Sequence, residues 1–235
     1  MIYLYSGTPR SGKSLHAAKT IYTRLKRKDP CICNFEINTD KIGKNIGQFL
    51  YKQNCEITPD FLKEFSKNYF NGGHVKEDKI LLVLDECQLM FNAREWNAKG
   101  RENWLSFFTQ HGKYGYTVLL IAQFDRMIDR QIRSLIEYEY IHRKASNMGW
   151  RGWLISFWAL GKLFVSVKVW YPMKEKVGQD FFTLRKKYAC IYDTHDLFGT
   201  DSEGGSGDPA ASVPDTACIT DIPLVTDSGN GSVPT

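Results

Sequence analysis

Eight residues near the amino terminus carry the strongest chemical signal in the chain. Gly7-Thr8-Pro9-Arg10-Ser11-Gly12-Lys13-Ser14 has the spacing GxxxxGK[ST], in which glycines let backbone N–H groups close around phosphate oxygens. The apolar run Ile2–Tyr5 reads as a strand entering the loop, and Lys13–Lys28 reads as a helix leaving it. A phosphate at that junction would meet the positive end of the helix. In such a loop Lys13 bridges the β- and γ-phosphates and Ser14 ligates Mg²⁺. Residues Gly7 to Ser14, with Leu15 behind them, are therefore the candidate nucleotide-binding set. A glycine-rich turn that only caps a helix is the plain alternative, and the strand–loop–helix setting argues against it.

A second signal complements the first. Lys79-Ile80-Leu81-Leu82-Val83-Leu84-Asp85-Glu86 is an apolar strand that delivers two acids to its carboxyl end, the edge where open α/β sheets bind ligands. Asp85 is the second candidate for holding Mg²⁺, directly or through a water. Glu86 is the candidate for orienting or deprotonating an attacking water. Many strands end in an acid, so this motif gains its meaning from the phosphate loop before it. The strand Tyr116–Gln123 ends in a polar residue, and Gln123 is a candidate contact for the γ-phosphate or the lytic water. Arg130 and Arg133 follow on an expected helix. Arg133 is the candidate arginine finger acting across a subunit interface, with Arg130 as the alternative.

Such residues need a frame that brings several strand ends to one edge. Helix Lys13–Lys28 stops at Asp29-Pro30, and Cys31–Ile37 reads as the second strand. Thr58-Pro59 begins a helix with a capping hydroxyl and a proline in the first turn, ending at Asn71-Gly72-Gly73. Helices are expected at Arg101–Gln110 and Asp125–Leu135, and a strand at Glu137–His142. Strands that are apolar throughout, alternating with helices, imply a mostly parallel sheet covered on both faces. The segment Trp153–Trp170 is apolar but interrupted at Gly161-Lys162, which favours a hairpin turning near Gly161 over a membrane span. The expectation is an α/β P-loop NTPase fold with a C-terminal β-hairpin and a disordered tail.

The 235 residues are 43% hydrophobic and 24% charged, enough for one sizeable core. Residues 1–198 read as that domain. Residues 199–235 are rich in Gly, Ser, Thr, Pro and Asp and lack aromatics and cations, so they read as a disordered acidic tail. The six acids of the tail, against a whole-chain charge of +5, leave residues 1–198 at +11. That balance suits an acidic partner such as nucleic acid or an anionic membrane surface, or a simple lysine-rich solvated face. The six cysteines form no CxxC pair, and Cys31-x-Cys33 is placed on a strand with diverging side chains. A zinc site or disulfide framework is not indicated, and a reducing compartment fits. No secretory signal fits the amino terminus.

Beyond the generic motifs, IYLYSGTPRSGKS, VLDECQLMF, Arg94-Glu95-Trp96, Gln110-His111-Gly112, LLIAQ and DRQIRSLIEYEY resemble the zonular occludens toxin (Zot) domain over about residues 1–195. That domain typifies the assembly ATPases of filamentous phages. The resemblance implies ATP and Mg²⁺ as ligands, a homo-oligomer, phage assembly or membrane proteins as partners, and coated single-stranded DNA as cargo. It implies the host cytoplasm, at the inner face of the cytoplasmic membrane. On it, Lys13 and Ser14 take the phosphate and Mg²⁺ roles, Asp85 and Glu86 the acidic roles, and Gln123 the sensor role. Members of the family usually continue into a transmembrane helix; no clean span follows Tyr171 here, so either docking on a separate membrane partner or peripheral use of residues 153–170 is expected. Two other readings remain. One is a DNA-packaging or translocating motor. The other is a nucleotide-binding interaction module without turnover, which the intact Lys13, Ser14, Asp85 and Glu86 disfavour.

Overall fold

A computed structural model describes residues 1–95, 100–144 and 163–192. Eight strands form one sheet: β1 (Ile2–Ser6), β2 (Cys31–Cys33), β3 (Phe49–Tyr51), β4 (Ile80–Leu84), β5 (Tyr116–Ile121), β6 (Tyr138–Lys144), β7 (Leu163–Trp170) and β8 (Glu175–Thr183). Their order is β3-β2-β4-β5-β1-β6-β7-β8. Pairs from β3 through β6 are parallel, and β7 and β8 add antiparallel partners at one side. The strand that feeds the phosphate loop and the strand that ends in Asp85 are thus separated by β5, so three strand ends converge on one edge.

The apolar runs are explained by burial on both faces. On β4, Ile80, Leu82 and Leu84 join one core cluster with Leu62, Phe107 and Phe108. The intervening Leu81 and Val83 join the opposite cluster with Ala17, Ile21 and Leu25. The first face is covered by α2 (Pro59–Phe70) and α3 (Arg101–Gln110), and the second by α1 (Lys13–Lys26). α2 begins as its sequence demands: Thr58 Oγ1 accepts from the Phe61 N–H at 3.2 Å, and Asn71 closes the helix in the left-handed region. An unpaired N–H there would cost about 1 kcal/mol.

Three expectations are corrected. Asp125–Leu135 is not one helix. Ile128 is extended and bridges Asn92, and the Asp129 carboxylate then caps a four-residue helix α4 (Arg130–Arg133) through the Gln131 N–H at 2.8 Å. The second strand ends at Cys33 rather than Ile37. Cys31 and Cys33 do not diverge, since residues two apart on a strand share a face. Both are buried free thiols in the same cluster, where burial pushes each well above the ordinary thiol value.

Leu163–Trp170 is a strand, as the apolar pattern implies, paired with β6 and with β8 across a turn at Tyr171–Lys174. The expected turn at Gly161 and the tail 199–235 lie outside the described residues. No helix among the described residues is long and apolar enough to cross a membrane.

Candidate functional site

The loop between β1 and α1 is held in a shape that demands glycine at two positions. Gly7 has φ +143, and a Cβ there would lie 2.5 Å from the His142 carbonyl oxygen of β6. Gly12 has φ +96, and its Cβ would lie 2.8 Å from the Phe164 ring of β7. The loop is thus clamped between its own sheet and the antiparallel strand beside it. α1 starts without a side-chain cap and without an acid in its first turn. Its leading N–H groups and positive end are therefore available to an anion. Lys13 Nζ folds over the loop, donating to the Gly7 and Thr8 carbonyls at 2.6 and 3.1 Å. Burial pulls the Lys13 ammonium below the ordinary lysine value, while Glu86 and Asp85 oppose that shift. The opposition places both acids within electrostatic reach of the lysine.

Asp85 follows β4 and is fixed by a residue that its own strand does not supply. The Asn34 side chain accepts from the Asp85 N–H at 2.7 Å and donates to the Asp85 carbonyl at 2.8 Å. It continues the β2–β4 pairing by one step with an amide side chain in place of backbone. Asn54 accepts the second Asn34 amide proton at 2.8 Å. Asp85 Oδ1 accepts from the Glu86 N–H at 2.8 Å. Glu86 sits at φ 45, a left-handed conformation that costs a residue bearing a Cβ about 1 kcal/mol. Its exposed carboxylate is held by the Gln88 side-chain amide.

Gln123 is brought to the loop, since its carbonyl accepts from the Gly7 N–H at 3.1 Å. Beside it opens a cavity of about 380 Å³ whose wall includes Gly7, Thr8, Gln123, Glu139 and His142. Buried Glu139 accepts from Ser6 Oγ at 2.6 Å and pairs with Lys174 Nζ at 3.2 Å. Arg133 is not brought to the loop; its guanidinium donates to the Asp125 carbonyl at 3.5 Å. Arg130 is exposed.

Beneath the loop lies a chain of histidines. His142 Nδ1 meets the Ser6 carbonyl at 3.2 Å, so that nitrogen carries the proton and Nε2 accepts. His16 Nδ1 then donates to His142 Nε2 at 2.9 Å. Burial, followed for His16 by the facing His142, lowers the two to about 3 for His16 and about 4 for His142. They serve as a neutral polar floor under the loop.

Four of these residues escape a reading of the sequence. Asn34 left a trace, being a polar residue at the carboxyl end of an apolar strand, as Asp85 and Gln123 are. His142 and Phe164 act through neighbours far along the chain. Tyr192, whose hydroxyl donates to Asp85 Oδ2 at 2.5 Å, gave no local signal.

Residues Lys13, Ser14, Asp85 and Gln123, together with an uncapped helix start, form a donor set suited to a Mg²⁺-bound triphosphate: amide and ammonium donors for phosphate, and a hydroxyl and a carboxylate for a hard cation.

Comparison with known proteins identifies the family and the fold. The family model described as zonular occludens toxin (Zot) matches residues 1–186. The Gene 1 protein of Enterobacteria phage I2-2 is 27% identical over 219 residues, which cover 86% of this chain and 58% of the relative. The Gene 1 protein of Enterobacteria phage M13 is 24% identical over 144 residues, 60% of this chain and 41% of the relative. The chain thus spans 58% and 41% of the length of these two curated relatives. Among solved structures, the N-terminal domain of zonular occludens toxin from Neisseria meningitidis superposes with a TM-score of 0.52 at 18% identity, covering 82% of this chain and 98% of that one. A second solved structure, an ATPase domain, gives 0.52 at 10% identity, covering 81% and 83%. These two likenesses establish the P-loop NTPase fold.

Proposed function

The chain belongs to the zonular occludens toxin (Zot) family, and we propose that it is a Mg²⁺-dependent ATPase that powers assembly and extrusion of a filamentous phage through the host inner membrane. The observation that supports this most is the convergence of the loop, Asp85-Glu86 and Gln123 on one sheet edge, each fixed by a backbone contact.

In this reading the α1 start and the loop amides bind the phosphates. Lys13 leaves the Gly7 and Thr8 carbonyls to reach the β,γ-bridge, so its hydrogen bonds are exchanged rather than newly made. Ser14 and Asp85 would hold Mg²⁺, which neutralises charge developing on the transferred phosphoryl group. Glu86, displayed on its left-handed turn, orients or deprotonates the water. Gln123, hydrogen-bonded to the loop through its backbone, presents its amide to the γ-phosphate. Arg133 acts from a neighbouring copy, which makes the working form a homo-oligomer. Coated single-stranded DNA, as cargo, and a membrane partner at the inner face of the cytoplasmic membrane complete the proposal.

ATP hydrolysis by the purified chain, measured over a range of protein concentrations beside Glu86→Gln, tests it. Turnover that rises steeply with concentration and is lost in the variant is expected. Lys13-dependent ATP binding without turnover at any concentration, even with single-stranded DNA present, would overturn the ATPase assignment in favour of a nucleotide-binding assembly module.

A further inference from the structure

One of the two residues assigned to the metal is held by a side chain from the far end of the described chain. The Tyr192 hydroxyl donates to Asp85 Oδ2 at 2.5 Å. The phenol is delivered there by a well-anchored segment. A short helix, Lys186–Ala189, lies on α1, with the Tyr188 ring edge-on to Tyr22 at 5.4 Å between centroids. Ile191 is fully buried in the core on that face, and its carbonyl accepts from the Asn38 N–H at 2.9 Å. The Tyr192 ring then packs against Phe35 at 4.9 Å.

Mg²⁺ takes its oxygen ligands at about 2.0–2.1 Å in near-ideal octahedral geometry. Asp85 Oδ1 already accepts from the Glu86 N–H and Oδ2 from the phenol, so the phenol competes with a cation, or with a water of its shell, for the charge of this carboxylate. We propose that Tyr192 is a latch on the metal position. Its hydroxyl holds the Asp85 carboxylate in the nucleotide-free chain, and Mg²⁺-bound nucleotide displaces it. This rests on the nucleotide reading of the site. The latch sets a threshold for loading, and it ties the Lys186–Tyr192 segment on the α1 face to whether the metal is bound.

The test is calorimetric titration of the full chain with ATPγS, in Mg²⁺ and again in EDTA, for wild type, Tyr192→Phe and Lys13→Ala. Phenylalanine keeps the ring against Phe35 and removes only the hydroxyl, so folding is preserved. A hydrogen bond to a charged group, lost from the unliganded state alone, corresponds to about tenfold tighter binding. Tyr192→Phe is therefore expected to bind about tenfold more tightly than wild type in Mg²⁺ and equally in EDTA. Equal or weaker binding in Mg²⁺ would overturn the latch and leave Tyr192 a support for Asp85. A gain of the same size in EDTA would also overturn it, because the phenol would then be opposing the phosphates. If wild type and Lys13→Ala bind alike, or neither binds, the nucleotide reading itself fails and the latch falls with it.

Discussion

Acidification should unfold this protein through the floor of its phosphate loop. His16 and His142 are buried and neutral, lowered from 6.5 to about 3 and about 4 by burial first. In the unfolded chain each takes up a proton as pH falls through 6.5, whereas the folded chain refuses it. Between pH 6.5 and about 4 the unfolded state therefore binds more protons, and stability falls as pH falls. It is fully present above 6.5. pH 5 lies about 1.5 units below the free value of each histidine, which corresponds to about 2 kcal/mol lost per histidine, or about 4 kcal/mol for the pair. Domains of this kind have about 5–15 kcal/mol in total. Urea unfolding of the full chain, followed by tryptophan fluorescence at pH 7.5, 6 and 5, measures the loss. His142→Gln should be less stable at pH 7.5 yet show a shallower dependence, by about one proton. His111 is also lowered, by burial first, but it is present in both proteins and cancels in the difference. A wild-type stability that is flat from pH 7.5 to 5, or a slope untouched by His142→Gln, would refute the reasoning.

Other perturbations separate support from chemistry. Asn34→Ala removes both side-chain bonds to the Asp85 backbone and should cost about 2 kcal/mol in denaturant unfolding, with weaker Mg²⁺-dependent nucleotide binding. Gly12→Ala should cost about 1–3 kcal/mol, from its positive φ and the Phe164 contact. Adding Phe164→Ala should recover part of that loss in a double-mutant cycle, and strict additivity would remove the contact as a cause. Glu86→Gln should retain nucleotide affinity while turnover falls about 100-fold or more, read by single-turnover phosphate release. Arg133→Ala should reduce hydrolysis only at concentrations where subunits assemble; equal loss in isolated monomers would exclude a finger in trans.

What the sequence disclosed and what it withheld divide along a physical line. The loop, the acidic strand end and Gln123 could be read because each is set by local rules. GxxxxGKS needs particular residues at fixed spacing, and a strand buried on both faces must be apolar until the edge where it meets solvent. The Asp125–Leu135 expectation failed where local pattern competes with tertiary pairing. Ile128 is drawn into extended backbone beside Asn92, and Asp129, paired with Arg101 at 3.3 Å, restarts the helix as its cap. β8 was invisible for the opposite reason. It is an edge strand, mostly exposed, so nothing forces the alternation by which a half-buried strand announces itself. The contacts that shape the site, from Asn34, His142, Phe164 and Tyr192, come from distant chain segments. Asn34 and Asp85 are 51 positions apart, and Tyr192 and Asp85 are 107. Their partners are chosen by the order of strands in the sheet. Insertion of β5 between β1 and β4 decides which strand ends meet, and the antiparallel β7 decides that a phenylalanine abuts Gly12. Such constraints belong to topology, and each substitution proposed above at those positions probes the sheet order through the chemistry of the loop.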